Sequence, residues 1–233
     1  MKKLWLCLHI ISALFQAILF PLMPIVLRRF LVKQWAKQLL SILKIKVVVR
    51  GETDYLKENH SFLLVANHIS WLDIHVLNSI RPVTFVAKAD VSAWPVFGYL
   101  AKKLGTIFLK REKLSDIKRV IHAVKHEIVA GGVVAIFPEG TSSDGQAVLP
   151  FKSNLFQAAI DAKGLVLPVR LTYQEHGAYT DKAAFIGDMT LIQSIQRVLS
   201  SHHIKVIIQV NEPLRGETRY DLCDQAYASI ANS

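Results

Sequence analysis

A histidine and an aspartate five positions apart are the residues of this chain best suited to proton-transfer chemistry. His68 and Asp73 come directly after the apolar run Phe62–Ala66, and a strand that ends in an ionisable residue is where α/β folds tend to place their chemistry. His68 could take a proton from a hydroxyl group near neutral pH, and Asp73 could hold the imidazole in the required tautomer. The chain has no Gly-x-Ser-x-Gly segment, which argues against a covalent serine mechanism. The pair therefore predicts a base that acts directly on a bound alcohol.

The spacing of the pair requires a turn. On one continuous helix, His68 and Asp73 would lie about 140° apart, so they can meet only if the chain bends between them. Ser70-Trp71-Leu72-Asp73 supplies a candidate, because a Ser-x-x-Asp sequence can open a helix as a variant of the capping box. The same residues have a purely structural interpretation, in which Asp73 caps the helix and His68 ends the strand. Spacing alone leaves both interpretations open.

A second polar segment, Phe137-Pro138-Glu139-Gly140-Thr141, follows the apolar run of residues 133–136. Together with the His68–Asp73 element, it resembles the motifs of the glycerolipid acyltransferase family, whose best-known members are the bacterial 1-acyl-glycerol-3-phosphate acyltransferases of the PlsC type. Lys88–Arg111 and Leu167-Pro168-Val169 resemble two further blocks of that family. Because all four segments occur in the family's order, the resemblance is far more specific than the histidine–aspartate spacing.

The resemblance implies an enzyme that moves a fatty acyl group from acyl-CoA or acyl-carrier protein to the hydroxyl group of a lysolipid, without a cofactor. His68 would deprotonate the attacking hydroxyl, and Asp73 would orient His68 and stabilise the imidazolium. Backbone N–H groups near Gly140 are the expected donors to the oxyanion, while Asn67 and Trp71 are expected to shape the site. The residues that the resemblance assigns to substrate binding are Lys88, Arg111, Glu139, Gly140 and Thr141.

Two positions bear on the nature of the acceptor. Arg111 matches the arginine of the family's second block, which resembles a phosphate contact, and a guanidinium binds such oxygens with paired hydrogen bonds. The residue after Thr141 departs from the pattern, because glycerol-phosphate acyltransferases commonly have Arg where this chain has Ser142. The continuation Thr-Ser-Ser-Asp-Gly looks more like the branch that acylates lyso-ornithine lipid. We expect lysophosphatidate as the acceptor, with lyso-ornithine lipid as the alternative.

The positive charge of the chain is interspersed in its most apolar segment. Residues 1–50 contain nine of the 28 Lys and Arg residues and none of the 18 Asp and Glu residues. A nucleic-acid-binding protein would more often carry its charge on the folded domain among aromatic residues. We therefore expect membrane lipids as partners and no nucleic acid. The alternative of a different class is a non-catalytic membrane-binding protein with the same fold, against which the presence of both His68 and Asp73 argues.

Residues 1–44 are expected to form membrane-associating helices. Leu4–Leu27 contains 24 consecutive positions without a charged side chain. As one helix of about 36 Å it would cross a hydrocarbon core of about 30 Å, although Pro21 and Pro24 would kink or end it. Residues 30–44 have the pattern of a basic amphipathic helix, which suits the membrane interface or the surface of a domain core. No Ala-x-Ala cleavage site follows, so we expect a retained anchor in the inner membrane, with the catalytic domain facing the cytoplasm.

Residues 45–233 are expected to form one α/β catalytic domain. Apolar, β-branched runs alternate with helical patterns, of which Ser115–Ala130 is the clearest and Phe151–Lys163 and Tyr220–Ala231 are weaker. This alternation predicts a mixed, mostly parallel sheet flanked by helices, behind the N-terminal helical membrane anchor. The runs expected to form strands are Ile45–Val49, Phe62–Ala66, Val83–Val86, Thr106–Leu109, Val133–Phe137, Leu165–Leu171 and Ile204–Val210.

The remaining sulfur and imidazole groups do not suggest a metal site. Cys7 and Cys223 belong to no CxxC or His/Cys cluster, so two reduced thiols are expected. His122 and His126 are four residues apart on the predicted Ser115–Ala130 helix, but they lack a third ligand and lie away from its apolar stripe. We therefore expect solvated histidines and no bound metal.

Overall fold

The computed structural model describes residues 2–57, 60–201 and 203–233. The strands are β1 Lys46–Gly51, β2 Phe62–Ala66, β3 Thr84–Lys88, β4 Ile107–Leu109, β5 Val133–Ile136, β6 Leu165–Glu175, β7 Ala178–Tyr179 and β8 Ile204–Val210. They form one sheet in the order β1-β8-β6-β2-β5-β3-β4, with the two-residue β7 paired to β6. Each of the seven predicted apolar runs forms a strand, with ends that differ by a few residues. The short β7 was not expected, because two residues give no periodic signal.

The direction of the strands confirms the mixed, mostly parallel sheet. β2, β3, β4, β5 and β6 run parallel to their neighbours in this group. β8 runs antiparallel to β6, and the edge strand β1 runs parallel to β8. The carboxyl ends of the five parallel strands therefore meet along one edge of the sheet, where open α/β sheets bind their ligands.

Helices cover both faces of the sheet. They are α1 Lys2–Leu19, α2 Ile25–Ile42, α3 Leu72–Ile80, α4 Phe97–Lys103, α5 Leu114–Val129, α6 Gln157–Asp161, α7 Leu191–Ser200 and α8 Arg219–Ala231. The predicted Ser115–Ala130 and Tyr220–Ala231 helices are confirmed as α5 and α8. Of the predicted Phe151–Lys163 helix, only Gln157–Asp161 is α-helical, preceded by a 3-10 turn at Ser153–Phe156.

Two apolar clusters lie on opposite faces of the sheet. In β2, Leu64 packs into the cluster that includes side chains of α2 and α3, whereas Leu63 and Val65 pack into the cluster of α5, α6 and α8. Every residue of β2 is buried, as expected for a parallel strand with helices on both faces. This two-sided burial explains why β2 appears in the sequence as an uninterrupted apolar run.

The N-terminal apolar run is divided into two helices. α1 ends at Leu19, a 3-10 turn covers Phe20–Leu22, and Pro24 immediately precedes α2, so the two prolines end the first helix as their backbone requires. By length and composition, Lys2–Leu22 is apolar enough to cross a membrane, and most of it is exposed. The second half of α2 buries Leu39 and Leu40 in the core of the α/β domain, so this helix also covers the core. The boundary after residue 44, between the membrane-associating helices and the α/β domain, stays a prediction.

Reciprocal hydrogen bonds fasten α1 to α2. The His9 ring nitrogen Nε2 lies 2.9 Å from the Trp35 carbonyl oxygen, and Trp35 Nε1 donates to the His9 carbonyl oxygen at 3.0 Å. The two rings stack with their centroids 4.4 Å apart. His75 of α3 packs against the other side of this contact, 5.4 Å from the Trp35 ring and 5.8 Å from the Trp71 ring. The first three helices are thereby joined through aromatic rings.

His75 makes the stability of this helix packing depend on pH. Burial, followed by the charge of His9, lowers the pKa of His75 from 6.5 to about 4. Between these values the unfolded chain binds a proton at His75 that the folded chain does not, so the free energy of unfolding falls as the pH drops from 6.5 towards 4. The loss approaches about 3 kcal/mol.

Thermal unfolding in detergent across this pH range measures the effect. His75→Gln should flatten the acid limb of the stability curve, whereas His126→Gln, on the exposed face of α5, should leave it unchanged. Identical pH dependence in the wild type and in His75→Gln would contradict the assignment.

Candidate active site

The predicted site residues leave the sheet along the carboxyl edge of its parallel strands. Asn67 and His68 follow β2, Phe137 follows β5, Lys88 ends β3, and Arg111 comes two residues after β4. Residues that are far apart in the sequence are thus brought to one edge because β2, β5, β3 and β4 are consecutive neighbours.

The histidine–aspartate contact forms as predicted. His68 Nδ1 lies 2.8 Å from Asp73 Oδ2, and a turn between β2 and the start of α3 at Leu72 makes this contact possible. Because Nδ1 faces the carboxylate, we infer the tautomer that carries its proton there and leaves Nε2 as the basic nitrogen. The side chain of His68 is 22% exposed and that of Asp73 is fully buried. The base is therefore accessible while its partner is shielded from water.

Four donors surround the Asp73 carboxylate. Oδ2 accepts the backbone N–H groups of Ile69 and Ser70, at 2.7 and 2.9 Å, in addition to His68 Nδ1. Oδ1 accepts the Tyr173 hydroxyl at 2.6 Å. Contacts with donors alone are the pattern of an ionised carboxylate, and they offset the cost of burying its charge. Burial and the adjacent Asp73 raise the pKa of Tyr173 well above its usual value, so the phenol keeps its proton and remains a donor.

The turn that opens α3 satisfies both interpretations of the Ser-x-x-Asp segment. The Ser70 hydroxyl accepts the N–H of Leu72 at 3.2 Å, while Asp73 reaches back to the N–H of Ser70. These are helix-opening contacts of the capping-box kind. The Asp73 carboxylate stabilises this turn, and the turn brings residue 73 back to the end of β2. The same carboxylate can therefore also bond to His68.

The segment after β5 holds the backbone and ring of His68. Glu139 Oε1 accepts the His68 N–H at 2.6 Å, and the Ser143 N–H donates to the His68 carbonyl oxygen at 2.8 Å. The Phe137 ring stacks on the imidazole with centroids 4.1 Å apart and an interplanar angle of 14°. The orientation of His68 is therefore fixed by β5 and its loop as well as by Asp73.

Both carboxylate oxygens of Glu139 bond to the backbone. Oε2 accepts the Leu149 N–H at 2.9 Å, and only 5% of the residue is exposed. Burial raises the pKa of Glu139, although its hydrogen bonds from His68 and Leu149 act in the opposite direction. The structure thus gives Glu139 a positioning role. Its predicted contact with the acceptor, like that of the exposed Thr141, stays a prediction.

Gly140 and Arg111 are in direct contact. Arg111 Nη1 donates to the Gly140 carbonyl oxygen, and a Cβ atom at position 140 would lie 2.7 Å from the same nitrogen. Gly140 also has φ +78°, a conformation that favours glycine. Its N–H donates to the Phe137 carbonyl oxygen at 3.0 Å, so this donor is used within the turn. That N–H groups near Gly140 serve the oxyanion stays a prediction.

Lys88 lies at the same edge but is paired with an acid. Its ammonium is 2.7 Å from Asp90 Oδ2, and both side chains are more than half exposed. In the sheet, Lys88 pairs with Leu109, two residues before Arg111. Its contact with a substrate stays a prediction.

Several contacts of the site were not expected from the sequence. Tyr173 lies two residues beyond the predicted end of β6, and its alternation with Leu171 on one face of the strand is the signal that could have included it. Ser143 contacts the His68 carbonyl oxygen with its backbone N–H at 2.8 Å and with its hydroxyl at 3.3 Å, and the shorter backbone contact leaves no signal in residue type. Asn67 pairs its side-chain amide with the N–H and carbonyl oxygen of Leu171, at 2.7 and 3.0 Å, and so joins β2 to β6.

Residues 46–172 match the Acyltransferase family, and the chain belongs to this family of enzymes. Among its relatives is a lyso-ornithine lipid O-acyltransferase of Pseudomonas aeruginosa, 35% identical over 206 residues that cover 88% of this chain and 78% of the relative. A 1-acyl-sn-glycerol-3-phosphate acyltransferase of Neisseria gonorrhoeae is 37% identical over 172 residues, or 72% of this chain and 67% of the relative. The resemblance inferred from the motifs is confirmed.

A solved structure supports the fold. The 1-acyl-sn-glycerophosphate acyltransferase PlsC of Thermotoga maritima aligns with a TM-score of 0.68 over 100% of this chain and 95% of that chain, at 20% sequence identity. The predicted architecture is therefore confirmed by a homologous fold. The bacterial lipid acyltransferase relatives, together with the exposed apolar surface of α1, indicate an enzyme associated with a membrane.

Tyr173→Phe should slow acyl transfer without disturbing the packing of the ring. The change leaves Oδ1 of the buried Asp73 without its donor, and a hydrogen bond to a charged group contributes about 1.5–3 kcal/mol. We expect kcat to fall about tenfold or more, and the pH dependence of kcat/KM to shift because the partner of His68 has changed.

Steady-state kinetics across pH provide the measurement, with thermal unfolding to monitor the fold. Tyr179→Phe is the matched control, because Tyr179 is exposed and its hydroxyl bonds to the Asp144 carbonyl oxygen, away from the His68–Asp73 pair. If Tyr173→Phe kept the wild-type kcat and pH profile, the hydroxyl would have no role in positioning the pair.

Proposed function

We propose that the protein transfers a fatty acyl group from an acyl thioester, acyl-CoA or acyl-carrier protein, to the free hydroxyl group of a lysolipid. The observation that carries this proposal is the His68–Asp73 pair, in which a partly exposed imidazole is held by a buried carboxylate. The arrangement suits a base that must reach a substrate hydroxyl while keeping a fixed tautomer. It needs no cofactor, because the thioester is already activated for attack by oxygen.

The reaction follows from the position of the free imidazole nitrogen. Nε2 of His68 takes the proton of the lysolipid hydroxyl as its oxygen attacks the thioester carbonyl carbon and forms the new C–O bond. Asp73 stabilises the imidazolium that results. When the tetrahedral intermediate collapses, the C–S bond breaks and the departing thiolate takes the proton back from His68. The chain ends the cycle in its starting protonation state, with an ester and a free thiol as products.

Phe137 and the Glu139 loop supply positioning. General base catalysis contributes about 10²–10⁴-fold, and the remaining acceleration must come from holding the reacting groups in place and stabilising the oxyanion. The stacked Phe137 ring and the bonds of Glu139 and Ser143 to the His68 backbone restrict how far the imidazole can move. Such restriction is what effective proton transfer requires.

Loss of the imidazole tests the reaction directly. Purified protein in detergent, given acyl-CoA and a lysolipid, should release free thiol and form an acylated lipid. His68→Ala should lower the rate at least 100-fold with unchanged circular dichroism, and His122→Ala, an exposed histidine of α5, should retain full activity. Equal turnover in His68→Ala and wild type would overturn the catalytic role. No turnover by the wild type with any lysolipid or donor would instead favour a non-catalytic membrane-binding protein.

We propose 1-acyl-glycerol-3-phosphate as the acceptor, with phosphatidic acid as the product. Arg111 supports this choice, because only one of its five N–H groups is committed, to the Gly140 carbonyl oxygen, in the part of the chain that the structure describes. The others remain for phosphate oxygens, which a guanidinium can bind in pairs. The Neisseria gonorrhoeae relative carries the same activity in its name.

Lyso-ornithine lipid is the second candidate acceptor. The loop after Thr141 favours it, because the position that commonly carries arginine is Ser142, whose hydroxyl donates to the Phe185 carbonyl oxygen. Ser143 is engaged with His68. Both serines therefore bond to other parts of the protein, and the loop has no second cation at the position where arginine is common. The Pseudomonas aeruginosa relative is named for the acylation of this lipid.

Competition between the two acceptors distinguishes them. In an equimolar mixture we expect phosphatidic acid to predominate, and Arg111→Ala to reduce kcat/KM for lysophosphatidate about 10–150-fold with less than threefold change for lyso-ornithine lipid. Arg215→Ala, an exposed arginine that donates to the Lys163 carbonyl oxygen, is the matched control. Mass spectrometry of the products decides the outcome, and predominant acylation of the ornithine lipid would reverse the assignment while leaving His68 and Asp73 in their roles.

We further propose that α1 lies along the cytoplasmic surface of the inner membrane, with the active site facing the cytoplasm, where soluble thioester donors are found. The bonds between His9 and Trp35 support this arrangement, because a helix crossing the bilayer would have to leave them. Replacing the exposed Phe15 and Leu22 with Ser should weaken binding to vesicles. Equally exposed apolar residues elsewhere, Leu114 and Ile192, provide the control, and equal losses from both pairs would contradict the proposal.

A further inference from the structure

Two grooves border the second half of α2 and meet at Ser41. One, of about 490 Å³, lies between α2, the beginning of β1 and the end of α3. The other, of about 450 Å³, lies between α1 and α2. Both grooves are shallow and largely open to solvent. We call the two grooves together the α2 trough.

The first groove is strongly basic. It is lined by Lys37, Lys44 and Lys46. Lys37 and Ser41 lie four residues apart on one face of α2, and Lys44 follows just beyond the end of that helix. All three lysines are exposed, and none forms an ion pair with a carboxylate among the described residues. Residues 1–50 contain no Asp or Glu, so no acidic side chain of that segment neutralises the positive charge of this groove.

The backbone at Lys44 favours a smaller residue. Lys44 has φ +60°, at the end of α2 where the N–H of Ile45 donates to the Leu40 carbonyl oxygen at 2.8 Å and the N–H of Lys44 to that of Ser41 at 3.0 Å. This is the helix-ending motif that usually carries glycine in the left-handed conformation. The position therefore holds a cation despite a backbone that glycine would suit better.

The second groove is apolar at its outer side. Trp5 and Leu8 of α1 line it together with Ile42 of α2, and Trp5 and Leu8 are 62% and 50% exposed. They continue the exposed apolar surface of α1, which includes Leu4 and Ile11. The polar residues His9, Ser12 and Gln38 also line this groove. Across Ser41 the α2 trough thus changes from a groove with three lysines to one lined by apolar and uncharged polar side chains.

We propose that the α2 trough binds one anionic glycerophospholipid, with its phosphate on Lys37, Lys44 and Lys46 and the first part of an acyl chain on Trp5 and Leu8. Ammonium groups bind phosphate oxygens as point charges, and the change of polarity at Ser41 matches that between head group and chain. A free phosphate would match only the basic half. The site is separate from the reaction centre, because it adjoins the end of α3 while Asp73 lies at its beginning.

Lipid retention by the full-length protein tests the site. Protein in detergent is mixed with phosphatidylglycerol or with phosphatidylcholine of the same acyl chains, and the bound lipid is counted by native mass spectrometry. Phosphatidylglycerol is neither a lysolipid acceptor nor a product of the proposed reaction. We expect one tightly held phosphatidylglycerol per chain and at least tenfold weaker retention of phosphatidylcholine. Equal retention of the two lipids would overturn the proposal.

Charge substitutions locate the binding. Lys37→Gln, Lys44→Gln and Lys46→Gln together should weaken phosphatidylglycerol binding about 100-fold, at about fivefold per lysine. The same charge change at Lys113, Lys118 and Lys125, in and next to α5 on the other face of the sheet, should have less than a threefold effect. Equal losses from the two triple variants would mean a general effect of net charge and would refute a defined site.

Two further variants separate lipid binding from folding and from simple anion binding. Lys44→Gly should retain or raise the Tm, because glycine suits φ +60°, and yet weaken phosphatidylglycerol binding about fivefold. Trp5→Ala should also weaken lipid binding. If millimolar inorganic phosphate displaced the lipid fully and Trp5→Ala had no effect, the groove would be a phosphate site and the lipid proposal would be wrong. Unchanged binding in Lys44→Gly with an intact fold would also count against it.

Discussion

The buried charge of Asp73 is the constraint on which the site and much of the surrounding fold depend. A carboxylate removed from water is stable only where donors surround it. Here they come from the turn after β2, from the His68 ring and from Tyr173 of β6. β2 and β6 must therefore be neighbours, and α3 must begin immediately after the turn. The hydrogen bonds that stabilise the Asp73 charge also orient the His68 ring.

The contacts of His68 extend this constraint across the sheet. Its N–H and carbonyl oxygen bond to Glu139 and Ser143, and its ring stacks on Phe137, so the loop after β5 is tied to the end of β2. The same contacts explain the structural role of the Phe-Pro-Glu-Gly-Thr segment at residues 137–141. Its phenylalanine, glutamate and glycine each have a structural contact within the site, whereas the proposed reaction uses only one imidazole nitrogen of His68.

The sheet was predictable because burial on both faces leaves a continuous apolar run, as in β2 and β5. Helices α4 and α7 were missed for different reasons. α4 has only seven residues, whereas α7 begins with a Thr190–Gln193 capping box that the sequence displays and that could have been recognised. The His68–Asp73 contact was predictable as a possibility, since it depends on a turn. The Tyr173 and Ser143 contacts arise from the pairing of distant strands and from backbone groups, which residue types alone do not reveal.

Gly140 and Arg111 illustrate a restriction on how this protein can change. A Cβ atom at position 140 would lie 2.7 Å from Arg111 Nη1, so a substitution there would displace the guanidinium and would also place a non-glycine residue at φ +78°. Removing the arginine would leave the Gly140 carbonyl oxygen without its hydrogen-bond donor. A change at either position therefore alters the contact on which the other depends, so the two residues are expected to vary together.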